Sequence, residues 1–213
     1  EHPVRALFRE IGTASIGYVR SFSLFGKTAQ AMAALPYTWG DVSGSVGTQA
    51  GHITRSGLSD TRLRLSVLLA GAPAMTLEEY VKSPRKPILG ASLTVSAPTG
   101  QYYPERLINL GTNRWGFKPE IAVSFPLGRR WLADVYAGLW RFTDNGAFYP
   151  GTKTRTQETV GALQAHLSYS LSARAWVAVN STWYTGGQAT VDGASTGTAL
   201  SGTRLGATLV FPV

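Results

Sequence analysis

Ten side chains occupy positions from which they could act together: Arg62, Arg64, Lys118, Glu120, Asp134, Tyr136, Trp140, Gln164, His166 and Arg204. Each falls on the polar side of a segment whose side chains alternate in character, so all ten are expected to line one shared surface. Four cations facing Glu120 and Asp134 can lock into an ion-pair network. They can equally draw a polar solute along that surface, and residue types alone leave the two open. Tyr136 and Trp140 would add apolar contact.

Hydrolytic chemistry would need a nucleophile with a base in reach. The chain has three histidines. His2 is terminal and His52 lies in a Gly-rich stretch, which leaves His166, with Ser168 two residues on and facing the same way. Residues two apart on a strand share a face as a matter of course, and no second catalytic signature accompanies this pair. No catalytic residue is assigned. With no Cys and no ligand spacing among the histidines, no metal site is expected. No glycine-rich loop leads from a strand into a helix, so no nucleotide cofactor is indicated.

The elements that must position these residues are clearest between Arg114 and Phe142. At period 2, Trp115, Phe117, Ile121, Val123 and Phe125 share one face, opposite Gly116, Lys118, Glu120, Ala122 and Ser124. Pro126-Leu127-Gly128-Arg129 makes a tight turn. Trp131, Ala133, Val135, Ala137 and Leu139 then oppose Asp134, Tyr136, Gly138 and Trp140. A soluble sandwich alternates in the same way, but three details favour a membrane hairpin. Each strand runs to about ten residues, the length a tilted strand needs to cross a bilayer. Aromatics stand at both ends of the apolar face. Lys118, Glu120 and Asp134 lie mid-strand, where a dry core would charge several kcal/mol for each unpaired ion.

The rest of the chain repeats the pattern. Strands are expected at Ile11–Phe22, Thr28–Trp39, Asp60–Ala70, Pro87–Ala97, Thr156–Leu171, Ala175–Tyr184 and Thr203–Phe211. In the cleanest, Leu63, Leu65, Val67 and Leu69 oppose Arg62, Arg64 and Ser66. Residues 1–10 read as the end of a loop. Long loops are expected at 40–59, 98–113, 143–155 and 185–201, and three of the four other connections are tight turns; only 71–86 is extended. Thr76-Leu77-Glu78-Glu79 has capping-box spacing and predicts one helical turn there. Long loops alternating with short turns are the habit of outer-membrane barrels. Outward aromatics sort into two rings: Tyr37, Trp39, Trp115, Phe117 and Trp183 at the long-loop end, and Phe22, Phe125, Trp131, Tyr169 and Phe211 at the turn end. Pro36 and Pro119 lack a ladder donor and are expected at rims or bulges.

The 213 residues suit a single domain over 1–213. No run of eighteen apolar residues exists, and the mean hydropathy of -0.01 is what half-apolar strands give. The net charge of +8 is scattered through turns and loops. A basic rim against anionic lipid head groups accounts for it, and no nucleic-acid partner is expected. About nine strands are an odd number, whereas single-chain bacterial barrels have an even number, so a barrel of ten to twelve strands truncated at one or both ends is expected.

The segments SGLSDTRLRLSV, ILGASLTVSAPTGQY, LINLGTNRWGFKPEIAVSFPLG, YAGLWRFTDN and WYTGGQATVDG resemble the outer-membrane proteins grouped as "MetA-pathway of phenol degradation", or transporter-like barrels. The resemblance covers loops as well as strands. It implies an all-β, antiparallel, up-and-down transmembrane barrel in the bacterial outer membrane, tied to uptake of small aromatic or apolar molecules. Members typically continue past the FPV position with a further hairpin. Membrane lipid, lipopolysaccharide and a small solute are the implied partners; oligomeric state is left open. The alternatives are a soluble lipocalin-like carrier with its apolar face inward and, more remotely, a barrel enzyme.

Overall fold

The computed structural model describes residues 4–46, 49–73, 79, 85–172 and 174–211. Its strands are β1 (Val4–Leu24), β2 (Lys27–Val46), β3 (Gln49–Leu58), β4 (Thr61–Ala70), β5 (Ile88–Ala97), β6 (Gly116–Leu127), β7 (Trp131–Phe142), β8 (Asn145–Phe148), β9 (Lys153–Gln157), β10 (Val160–Ser170), β11 (Trp176–Gly186), β12 (Ala189–Val191), β13 (Ala194–Ser195) and β14 (Leu200–Val210). The main sheet has the order β1-β2-β4-β5-β6-β7-β10-β11-β14, antiparallel throughout, with β3 continuing the line of β4 along the upper part of β2. This is the expected up-and-down meander of nine positions, curled into a half-barrel. Its edges, β1 and β14, do not pair with each other among the described residues.

Alternation decides which side each residue takes. In β6, Phe117, Ile121 and Phe125 are exposed while Lys118 and Glu120 are buried. Leu63, Leu65, Leu139, Leu163, Leu167, Val179, Leu205 and Leu209 are likewise exposed on the outer face. Among the described residues the buried apolar set is six alanines and Val160. A protein folding in water buries Leu, Ile, Val and Phe first. Here those residues face out and the ions face in, so the chain is built for an apolar surrounding and a polar interior. A carrier with its aliphatic rows inward has the opposite arrangement. Nine of the ten ring aromatics are exposed as expected, and Tyr169 is half-buried against Trp131, the ring centroids 4.8 Å apart.

Three loop readings are corrected. Residues 4–10, expected as loop, belong to β1. The stretch 40–59 is the top of a β2–β3 hairpin, its strands in continuous register from Tyr37↔Leu58 to Val46↔Gln49. Its glycines suggest a coil, but ladder bonds need no side chain, and Val42 and Ile53 sit directly opposite each other. The 20 residues of β2 span about 66 Å at about 3.3 Å per residue, roughly twice the hydrocarbon thickness, so this hairpin projects past a bilayer. The loops at 143–155 and 185–201 together form a second sheet, β13-β12-β9-β8. The helical turn expected at Thr76–Glu79 lies, apart from Glu79, outside the described residues.

Both prolines sit where a ladder gives way. Pro36 lies opposite the break between β3 and β4, and its carbonyl accepts a 2.9 Å bond from the Ser59 N–H. At Pro119 the β6–β7 ladder skips from Phe117↔Arg141 to Glu120↔Gly138 with no shift of register. A missing donor leaves a gap there rather than a bulge.

Candidate functional site

Glu120 is the centre of the inner face. Its Oε1 accepts from Arg64 Nη2 at 2.8 Å and Ser92 Oγ at 3.4 Å. Its Oε2 accepts from Lys118 Nζ at 2.6 Å and Gln164 Nε2 at 3.4 Å. These donors come from β4, β5, β6 and β10, so the carboxylate ties together strands that are not neighbours. Glu120 is only 4% exposed, and such an ion is tolerated only when paired and fully hydrogen-bonded. Gly138 opposite leaves the room. Two cations against one carboxylate leave the cluster with net positive charge.

From this cluster an aromatic column runs toward the long-loop end. Lys118 Nζ stands 5.7 Å from the Trp140 ring centroid. Trp140 stacks on Phe142 at 5.9 Å with planes 3° apart. The Arg114 guanidinium caps Phe142 at 4.2 Å. Beyond lies a cavity of about 510 Å³ whose walls include Arg62, Arg114, Trp140, Phe142, Tyr184 and Arg204. Arg204 faces the Tyr184 ring at 5.4 Å. Because β4 and β14 both line this space, it lies in the trough of the curled sheet and stays open on one side.

The loop from Thr99 to Trp115 is clamped over this end by buried polar groups. Asp60 accepts from the Gly100 N–H at 3.0 Å, the Thr112 N–H at 3.0 Å and the Thr112 hydroxyl at 2.6 Å. Asn145 donates to Tyr102 Oη at 2.8 Å and accepts from Asn113 Nδ2 at 2.8 Å. Arg114 donates through Nη2 to Gln157 Oε1 at 2.5 Å, which joins the loop to the second sheet. Burial, with Arg155 nearby, presses its pKa down to about 10, so it remains a cation at neutral pH.

The ten expected residues divide into groups. Arg64, Lys118, Glu120 and Gln164 form the central cluster. Arg62, Trp140 and Arg204 line the outer cavity, where Trp140 also touches the cluster through Lys118. Tyr136 meets His166 edge-on at 5.4 Å, and His166 Nδ1 pairs with Asn180 Oδ1 at 2.7 Å rather than with Ser168. The Asp134 carboxylate makes no ion pair or hydrogen bond among the described residues, though the residue stands across the ladder from His166. Sequence reasoning did not single out Asp60, Arg114, Phe142 or Asn145. Asp60 and Phe142 share the parity of Arg62 and Trp140 at strand ends, which was a usable signal. Arg114 and Asn145 are brought in by loop closure, about which periodicity is silent. The Asp192-Gly193 pair was the one available signal for the second sheet. Such a pair marks a two-residue hairpin, and both residues have positive φ, 48° and 81°.

This geometry can be set beside known proteins. The profile of the family described as "Putative MetA-pathway of phenol degradation" matches residues 7–213. The chain belongs to that family. No curated protein matches the chain. Among solved structures, the crystal structure of the COG4313 outer membrane channel from Pseudomonas putida F1 superposes with a TM-score of 0.77 at 22% identity, covering 95% of this chain and 70% of that one. The chain therefore shares the antiparallel sheet fold of that channel over the part that superposes.

Proposed function

We propose that the chain forms the wall of a bacterial outer-membrane channel that passes small molecules, aromatic or apolar ones among them. The observation that carries this reading is the inverted sheet, with ions and hydrogen-bonding groups on the concave face and leucines, valines and aromatic rings on the outer one. On this reading the outer face meets acyl chains and, in the outer leaflet, lipopolysaccharide. The Arg64–Glu120–Lys118 cluster narrows the path and sets its charge. The likeness to an outer membrane channel supports the same class. The test is single-channel recording in planar bilayers with the full chain. Discrete conductance steps that small aromatic solutes alter are expected; a protein that inserts and carries no current counts against the channel.

A further inference from the structure

We infer that the cavity at the long-loop end binds small aromatic carboxylates, with Arg62, Arg114 and Arg204 supplying the positive field that holds the anion. This rests on the channel reading, since it names a solute class for the same path. Arg114 is 8% exposed, yet among the described residues its Nε and Nη1 have no hydrogen-bond acceptor. A guanidinium carries five N–H donors, and a buried charged donor left unmade costs more than a neutral one. Those two nitrogens are closed off from the cavity as well as from solvent, so the residue, which borders the cavity, acts on its contents through its charge.

The surrounding charge selects the sign. Arg62 and Arg204 stand on other walls of the cavity. Arg155, Asp60 and Asp144 act on Arg114 from further off, one repelling and two attracting. Four cations therefore face two carboxylates, and Asp60 is already engaged by three donors. The walls select the body of the ligand. Trp140, Phe142 and Tyr184 present ring surface, and about 510 Å³ falls within the roughly 300–1,000 Å³ of small-molecule sites. A carboxylate on a flat apolar ring matches both features; acetate matches only the first and benzyl alcohol only the second.

The test adds benzoate, acetate or benzyl alcohol to single channels of the full chain in chloride, with calorimetric titration of the same solutes into the detergent-solubilised protein. Saturable block and binding by benzoate are expected at concentrations where the other two do neither. Arg114→Met should weaken benzoate by about tenfold through the lost charge, and Arg114→Lys, which keeps the charge, by less. If Arg114→Met does not fold, Arg204→Gln on the edge strand should still weaken benzoate by about threefold through the lost field. Equal effects of acetate and benzoate, or benzoate binding indifferent to both arginines, would overturn the site. Current without benzoate block sinks the site and leaves the channel; benzoate binding without current does the reverse.

Discussion

Glu120 lies directly across the β6–β7 ladder from Gly138, and the absent side chain there is what lets a buried carboxylate collect four donors. A Cβ on residue 138 would stand 3.1 Å from the Pro119 carbonyl oxygen and 3.3 Å from both Glu120 Cβ and Lys118 Cγ. The first is backbone and cannot swing aside. Gly138→Ala should therefore cost about 1–3 kcal/mol of stability. The measurement is urea unfolding in lipid vesicles, and an unchanged midpoint would show that the cluster tolerates the methyl.

Glu120 also sets the charge of the buried cluster on the inner face. Replacing it with Gln leaves Arg64 and Lys118 without their counter-ion, so the local charge rises from one positive to two. Breaking a buried pair from one side costs about 3–5 kcal/mol, and the lower end applies because Arg64 is about a third exposed. Glu120→Gln should lower stability by about 3 kcal/mol and shift the reversal potential in a salt gradient toward anion preference. An unchanged reversal potential would place the cluster off the ion path.

The inner and outer faces were legible because strand periodicity needs no tertiary knowledge: Arg64, Lys118, Glu120 and Gln164 were put on one surface by parity alone, and they meet there. Their bonding was not legible, since the curl that brings β4 and β10 to one carboxylate is a property of the whole sheet. The extended β2–β3 hairpin was hidden by its glycines. Arg114 was hidden differently: it reads as the first residue of a hairpin, while its place is fixed by Gln157 and Phe142, far along the chain.

Asp60 holds the loop over the outer cavity with three hydrogen bonds, two of them to Thr112. Asp60→Ala leaves the Gly100 and Thr112 donors unmet, at about 1–3 kcal/mol each where they remain buried. Opening of the 99–113 segment relieves that cost. Limited proteolysis from the outer side should then cut within this loop in the variant and not in the parent, while the strands stay protected. Equal resistance in both would mean that Asn145 and its partners suffice as the clamp.

The outward rows decide the solvent. Ile121 is 59% exposed near the middle of β6, flanked by Phe117 and Phe125 on the same face. In water, replacing so exposed an isoleucine by arginine costs little, because the new side chain stays hydrated. At the midplane of a bilayer the same change costs about 2–4 kcal/mol, falling to about 0–1 near the interfaces. Ile121→Arg should therefore destabilise the protein in vesicles by several times more than Phe125→Arg at the turn-end ring. The comparison between positions is the sensitive part, because a general loss of strand propensity would affect both alike. Equal small costs at the two positions would mean that this face meets water, and the inverted sheet would then need another explanation.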